Sequence, residues 1–332
     1  MTHTLKRALL SLFALIALSV AALAGDPGTP IADSSEASDQ KAGALLVYNA
    51  YTSDAANPAT VDTRINITNT NQIFGVSVHL FFLRGTDCNV ADSFLCLTEN
   101  QTATFRMSDL DPGVSGYIIA VATNSAGLPI RHNFLIGDLY VKYATGHAAN
   151  LGAIAFSKLT DANVLSTDGS LAGLFLDGLN LAGSYNRAPK VLAVDNIPSR
   201  VDGNDTLLIL NNISGSLVAG VGAIGTVFGI IYNDVETPYS FSFSGGSCQF
   251  RNSINSPTPF RTSPAINSII PGGRSGWIRL QPAGALLGAA INRNTTATGF
   301  NGGHNLHHLT LTQQANLVIP ILGSNCPDTG PN

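Results

Sequence analysis

The feature that most constrains this chain is a long series of short apolar or alternating segments separated by Asn, Asp, Gly and Pro. In the first half these segments read ALLVYNAY, TRINITNT, GVSVHLFFL, TATFRM, GYIIAVAT and DLYVKYAT. Segments of this length, rich in Val, Ile, Thr, Phe and Tyr, are typical of β-strands, and their close spacing indicates a sandwich or barrel. In RINIT, Ile65 and Ile67 alternate with polar residues, as in a strand with one wet face. The sequence therefore predicts an all-β fold.

The second half restarts the order of the first. Its segments are KVLAVDNI, TLLILNN, GTVFGIIYN, YSFSFSG, SGWIRL and NLVIPIL. A Pro-Gly pair precedes a Gly-aromatic-Ile sequence twice, at Pro112–Gly113 and at Pro271–Gly272. Because Pro fixes φ in such a turn and Gly accepts positive φ, we expect Tyr117 and Trp277 to enter the core. The pattern predicts two tandem β-sandwich modules, Ig-like or jelly-roll-like, related by an internal duplication.

Composition changes along the chain predict its organisation. Lys6 and Arg7 precede an apolar run that ends in small residues at Ala24, which is the order of a cleaved secretory signal. One segment, HAANLGAIAFSKL at 147–159, has apolar residues near helical spacing and is the one plausible helix in the chain. We expect a signal peptide 1–24, a flexible leader 25–43, a first module 44–165, an inter-module segment 166–189, a second module 190–326 and a tail 327–332.

The chain contains four cysteines. An even set in an exported chain indicates disulfides, although four cysteines allow three pairings. Because Cys88 and Cys96 bracket a short loop, the economical prediction pairs these two, and it pairs Cys248 with Cys326. The signal and the cysteines together predict a secreted product, extracellular or at the envelope surface, without a transmembrane anchor.

The charge pattern bears on the class of partner. Charged residues make up 11% of the chain, against about 25% in an average globular protein. The formal net charge is −4, and the Lys and Arg residues are scattered. Since nothing resembles a basic stripe, nucleic acid is not an expected partner. The chain has no Gly-x-Ser-x-Gly elbow and no Walker loop, so the sequence identifies no catalytic residue and no nucleotide cofactor.

The densest set of transition-metal ligands lies in GGHNLHHLTL, which contains His304, His307 and His308. On a strand, His304 and His308 share a face while His307 points away. Two imidazoles on one face can hold copper or zinc if a third ligand comes from elsewhere in the chain. The other interpretation is that the three histidines are ordinary polar surface residues.

A second ligand set lies in DGND, where Asp202, Asn204 and Asp205 offer the oxygen ligands that calcium takes, with Asp195 nearby. The segment lacks the ordered spacing and the bidentate Glu of an EF-hand loop. Asp, Asn and Gly also form ordinary turns. Calcium or a transition metal is therefore the only cofactor that the sequence suggests.

The wording of several segments resembles that of an uncharacterised family of exported bacterial proteins with two β-sandwich modules. The similar segments are DLDPGVSGYIIAVA, NFLIGDLYVKYATGHAANLGAIAF, NIPSRVDGNDTLLILN, PGGRSGWIRL and GHNLHHLTLT. The resemblance covers nearly the whole mature chain. It implies export to the envelope surface or beyond, and it implies no activity and no catalytic residues.

These observations favour a non-catalytic exported surface or extracellular protein with an adhesive, structural or glycan-binding role. The expected partner is a glycan, a cell surface or a second copy of the chain. The aromatic residues considered for stacking on sugars are Tyr48, Tyr51, Tyr140, Tyr143 and Tyr185. The alternative is a secreted glycan-active enzyme on jelly-roll modules, metal-dependent through the histidine cluster. The sequence does not decide between an enzyme and a binding protein.

Overall fold

A computed structural model describes residues 32–33, 36–256, 260, 262–296 and 301–327. The predicted signal peptide, 1–24, lies outside the described residues, as does the predicted tail from residue 328 onward. One compact unit begins at Asp33. In the described part of the chain, no helix is long and apolar enough to cross a membrane.

Short strands account for almost all of the regular structure. The first twelve are β1 (Leu45–Thr52), β2 (Asp62–Asn69), β3 (Val76–Arg84), β4 (Val90–Leu97), β5 (Thr102–Arg106), β6 (Ser115–Thr123), β7 (Leu135–Lys142), β8 (Ala148–Gly152), β9 (Ile154–Phe156), β10 (Val164–Leu165), β11 (Leu171–Leu176) and β12 (Ser184–Tyr185). The remaining strands are β13 (Val191–Pro198), β14 (Asn204–Asn212), β15 (Gly215–Ser216), β16 (Gly220–Val221), β17 (Gly225–Tyr232), β18 (Pro238–Gly245), β19 (Gln249–Ser253), β20 (Ser275–Pro282), β21 (Leu286–Asn294), β22 (Asn301–Asn305), β23 (His307–Thr310) and β24 (Asn316–Pro320). Two single-turn helices, α1 (Met107–Leu110) and α2 (Ile266–Ile269), and a 3-10 turn at Arg200–Asp202 complete the set in the described residues.

The strands form five sheets. Sheet I has the order β4-β3-β6-β1-β9, and sheet II has the order β5-β2-β7-β8. Sheet III runs β10-β11-β24-β15-β16, with β12 beside β11. Sheet IV has the order β18-β17-β20-β13-β23, and sheet V has the order β19-β14-β21-β22. The prediction of an all-β chain is therefore confirmed.

The prediction of two tandem β-sandwich modules is wrong. The strands instead form five small sheets, as in a five-bladed β-propeller. The larger apolar core contains residues from both halves of the chain, such as Tyr51 and Leu287. Along β14, Ile209 lies in this core while its neighbours Leu208 and Leu210 lie in the smaller one. Sheet V is therefore buried on both faces, and the two halves cannot separate into modules with cores of their own.

The two Pro-Gly motifs have matching positions in this arrangement. Each precedes the middle strand of a five-stranded sheet, β6 in sheet I and β20 in sheet IV. Gly113 has a φ of 77°, as its turn requires. Tyr117 is fully buried, as predicted, but Trp277 is 37% exposed, so its prediction as a core residue is wrong. The match relates two of the five sheets and does not divide the chain into two modules.

The predicted helix at 147–159 is also wrong, because this segment forms β8 and β9. In β8, buried Ala149 and Leu151 alternate with more exposed residues, which is the period of a strand. The last part of the predicted flexible leader, residues 36–43, is packed against the sheets. Its main chain bridges Ser38 to Ala155 and Gly43 to Leu135.

All four cysteines form disulfides, but the predicted pairing is wrong. The bonds join Cys88 to Cys248 and Cys96 to Cys326, with Cα atoms 5.7 and 5.3 Å apart. Cys88 precedes β4 and Cys96 lies near its far end. At about 3.3 Å per residue, an extended segment of this length keeps the two cysteines roughly 20 Å apart or more, beyond the reach of a disulfide.

Candidate metal centre

A β-bulge in β13 places two consecutive polar side chains on the surface. The register between β13 and β20 shifts between Val194 and Ile197. Asp195 and Asn196 lie within the shift, and both are exposed. Asn196 has a φ of 41°, in the left-handed region that Asn tolerates better than most residues. The bulge frees Asp195 from the regular alternation of the strand and turns it outward.

The two histidines near Asp195 lie on either side of the point where the chain crosses from sheet V to sheet IV. His304 lies on β22 in sheet V, opposite Ala290. His307 opens β23 in sheet IV, opposite Ala193. The chain crosses from one sheet to the other at Leu306, which is 3% exposed and anchors the crossing in the smaller core. The crossing brings both imidazoles to the end of β13 that carries the bulge.

The three side chains meet in a tight cluster. The distance from His304 Nε2 to Asp195 Oδ1 is 2.7 Å, and that from His307 Nε2 to Asp195 Oδ2 is 3.3 Å. The two imidazole rings are stacked, with centroids 5.6 Å apart and planes 25° from parallel. Among the described residues, these three offer ligand atoms that all lie within 4.8 Å of one another. The three side chains therefore form a candidate ligand set for a single ion.

The hydrogen bonds of His304 favour one tautomer of its ring. Its Nδ1 lies 2.9 Å from the main-chain oxygen of Asn305, which can only accept a hydrogen bond. We therefore assign the ring proton to Nδ1, so that Nε2 of the neutral ring is an acceptor. That acceptor faces a carboxylate oxygen, which is also an acceptor. A proton between the two atoms makes this contact a favourable hydrogen bond, and a metal ion bound by both atoms would replace that proton.

The same hydrogen bond is one that metal-binding histidines use. A ligating imidazole commonly donates its other N–H to a main-chain carbonyl, which fixes the ring and its tautomer. Two imidazoles and one carboxylate form a set that zinc and other divalent transition metals accept, with one or more coordination positions left open. The side chains of His307 and Asp195 are 56% and 54% exposed, so solvent or a ligand can reach those positions.

A chain of buried amides holds the main chain that orients His304. The Asn305 side chain donates to Asp39 Oδ2 and to the Gly152 oxygen, each at 2.8 Å. Its Oδ1 accepts from Asn49 Nδ2, also at 2.8 Å. Asn211 in turn donates to the Asn49 main-chain oxygen at 2.8 Å. Because Asn305 is fixed from three sides, its carbonyl is preorganised to accept from His304.

His304 lines two cavities. The first has a volume of about 480 Å³ and is lined by Asp195 together with amide and hydroxyl side chains, namely Asn196, Asn204, Thr206, Asn292 and Asn294. The second has a volume of about 560 Å³, and its polar lining includes Glu36, Asp39, His307 and His308. An ion between Asp195 and the two histidines would therefore lie at the border of both cavities.

The structure brings together only part of the predicted histidine set. His304 and His307 converge, whereas His308 turns away and places Nδ1 3.3 Å from the Ala37 oxygen. Burial lowers the pKa of His308. The strand argument that paired His304 with His308 fails because the strand is interrupted at Leu306. The sequence pattern placed Asp195 only beside the calcium set. Its position near the two histidines depends on the bulge in β13, which the sequence pattern does not predict.

The predicted calcium ligands are held in separate contacts. Asp202 Oδ2 accepts from the Gly273 amide at 2.7 Å. The Asn204 Oδ1 accepts from the amides of two neighbouring asparagines, and Asp205 Oδ1 accepts from the Ser253 hydroxyl. Each of these oxygens accepts a hydrogen bond from a protein donor, and the calcium assignment stays a prediction.

Most aromatic residues considered for sugar stacking are in the cores. Tyr48, Tyr51, Tyr143 and Tyr185 are buried, and Tyr140 alone among the five is exposed. The surface carries a different aromatic pair, Tyr232 and Trp277, with ring centroids 4.5 Å apart and planes 10° from parallel. Sequence reasoning missed this pair because it assigned Trp277 to the core.

No protein-family model matches the chain, and no curated protein matches it either. The function is therefore argued from the geometry of Asp195, His304 and His307.

Proposed function

We propose that this chain is an exported binding protein that holds one divalent transition-metal ion, of the zinc class, between Asp195, His304 and His307. The observation that carries the proposal is the convergence of these three side chains, whose ligand atoms all lie within 4.8 Å of one another. The hydrogen bond from His304 Nδ1 to the Asn305 oxygen leaves Nε2 turned towards Asp195. A bound divalent ion would replace the proton between His304 Nε2 and Asp195 Oδ1 and take both atoms as ligands.

The proposed metal ion would present its open positions to a polar ligand in the adjoining cavity. The 480 Å³ cavity is mainly apolar, with amide and hydroxyl side chains at a few points of its lining. A sugar ring presents both apolar faces and hydroxyl groups, so a glycan is the ligand class that we propose. Disulfides form and persist in oxidising compartments, so the two disulfides support the proposal of export.

The first experiment measures metal binding by the mature chain, residues 25–332. Equilibrium dialysis against zinc, copper and calcium, followed by elemental analysis, should show one zinc or copper ion per chain. His304→Ala and Asp195→Asn should each weaken binding by more than the roughly 10- to 100-fold that the loss of an outer partner costs. Asp109→Asn is the matched control, because the Asp109 side chain is 57% exposed and also pairs with one cation.

Several results would contradict the metal proposal. These are the absence of zinc and copper binding, a preference for calcium, or binding that survives both ligand variants. Thermal melts with glycans are then recorded in the presence and absence of zinc, since a ligand that binds the native state raises the melting temperature. A glycan shift that requires zinc and His304 supports metal-dependent binding. Turnover of the glycan would favour the enzyme alternative.

A further inference from the structure

A lysine and an asparagine that are distant from each other in sequence are buried against each other. Lys41 is 8% exposed and Asn186 is 2% exposed. The distance from Lys41 Nζ to Asn186 Oδ1 is 2.9 Å, although 145 positions separate the two residues. One side chain in contact with the Lys41 amine is therefore a primary amide. The arrangement places an amine nitrogen beside the carbonyl of a primary amide.

The asparagine amide is fixed and polarised by its other contacts. Its Oδ1 also accepts the main-chain N–H of Ser157, at 2.5 Å. Its Nδ2 donates to the main-chain oxygen of Asp33, at 2.7 Å. An N–H group aimed at a carbonyl oxygen stabilises the negative charge that builds up there when a nucleophile attacks the carbon. Ser157 therefore provides the kind of donor that acyl transfer requires.

The surroundings also make the neutral form of the amine accessible. Burial lowers the pKa of Lys41 from 10.5 to about 8, while the nearby Asp33 carboxylate acts in the opposite direction. An exposed lysine has a pKa of about 10.4 and is almost entirely charged at neutral pH. Only the unprotonated amine is a nucleophile, so burial raises the reactive fraction.

We propose that Lys41 and Asn186 become joined by an intramolecular isopeptide bond. The Lys41 Nζ attacks Cγ of Asn186 and forms a C–N bond, while negative charge collects on Oδ1 beside the Ser157 N–H. The bond from Cγ to Nδ2 then breaks, and the leaving nitrogen takes the proton that Nζ gives up. Ammonia departs, and neither an oxidant nor a reductant takes part.

The bond would attach the packed segment 36–43 covalently to the chain that follows β12. Lys158 offers a natural comparison within the same protein. Burial lowers its pKa to about 8 as well, but its Nζ donates to the main-chain oxygens of Thr160, Asp161 and Ala162. These secondary main-chain amides have no terminal NH2 group that could leave as ammonia, so Lys158 should stay unmodified.

The test is the intact mass of the purified mature chain after reduction of its disulfides. We expect the mass to be lower than the sequence mass by one ammonia. Proteolysis should release one branched peptide that joins Lys41 to Asn186, which can be identified by fragmentation in the wild-type protein. Lys41→Arg should restore the full sequence mass, and Lys158→Arg, the matched control, should retain the loss.

Two results would overturn the proposal. One is a wild-type chain with the full sequence mass and no branched peptide. The other is an ammonia loss that persists in Lys41→Arg, which would place it elsewhere, for example in a succinimide at Asn301–Gly302. Because the branched peptide is sought in the wild-type protein, the test holds even if Lys41→Arg folds poorly. The outcome is independent of metal binding at Asp195.

Discussion

At the scale of single residues, the setting of each described histidine decides what its ring nitrogens can do. His79, His132 and His147 are buried, and burial lowers the pKa of each. His132 places Nε2 2.8 Å from Asn69 Oδ1, so the neutral ring has a partner within the protein. His304 differs because its side chain is 38% exposed and lines two cavities. The contrast separates histidines that complete a core from one that lies at the surface.

The buried His132 gives a prediction about stability and pH. Burial lowers its pKa from 6.5 to about 4. Between these two values the unfolded chain binds a proton at this residue and the folded chain does not, so stability must fall as pH drops from 6.5 towards 4. One such group contributes at most about 1.4 kcal/mol per pH unit.

Urea unfolding of the wild type and of His132→Gln at several pH values in this window measures the contribution. The slope of unfolding free energy against pH should be shallower in His132→Gln. Gln72→Asn, at an exposed position without a titratable group, is the control. Equal slopes in the wild type and in His132→Gln would contradict the assignment.

At the scale of elements, the bulge in β13 converts an ordinary strand into part of the proposed site. Asn196 holds a positive φ there. A β-branched residue in this conformation is strained by about 1–3 kcal/mol, whereas glycine adopts it freely. Asn196→Val should therefore lower the melting temperature and weaken zinc binding, because a regularised strand turns Asp195 away from the histidines.

Asn196→Gly is the matched variant for the bulge, since it removes the same side chain without opposing the backbone conformation. It should retain zinc binding close to that of the wild type, measured by the same dialysis. If both variants bind zinc equally well, the bulge does not position Asp195.

The elements also show what the sequence could and could not predict. Alternation identified strands such as β2, where buried Ile65 and Ile67 alternate with more exposed residues. It did not show which strands pair, because register and sheet membership depend on contacts between distant segments. The segment 147–159 was misread as a helix since small apolar residues fit both periods. The close spacing of the histidines is visible in the sequence. Asp195 comes near His304 and His307 only because of the bulge in β13 and the crossing between sheets at Leu306.

At the scale of the whole molecule, covalent links and a shared core join segments that are far apart in sequence. The disulfides span 160 and 230 positions. The Cys88–Cys248 bond connects the turn before β4 in sheet I with the start of β19 in sheet V. The same region of sheet V has apolar residues in both cores. Local sequence patterns carry no information on such long-range pairings, which is why the economical disulfide prediction failed.

This architecture predicts that the chain unfolds as one unit. Since sheet V contributes to both cores, neither core can be lost without exposing one face of that sheet. We expect a single denaturant transition that is the same by tryptophan fluorescence, which reports on Trp277 in sheet IV, and by far-UV circular dichroism.

Replacing Cys88 and Cys248 together with Ser should lower the unfolding free energy by about 2–5 kcal/mol, the usual cost of losing a native disulfide, and should leave the transition single. The Cys96/Cys326 double variant provides the comparison, because it opens a longer loop without releasing sheet V. Two separated transitions in the wild type would mean that the halves fold independently, and the shared core would then have to be abandoned as the basis of the fold.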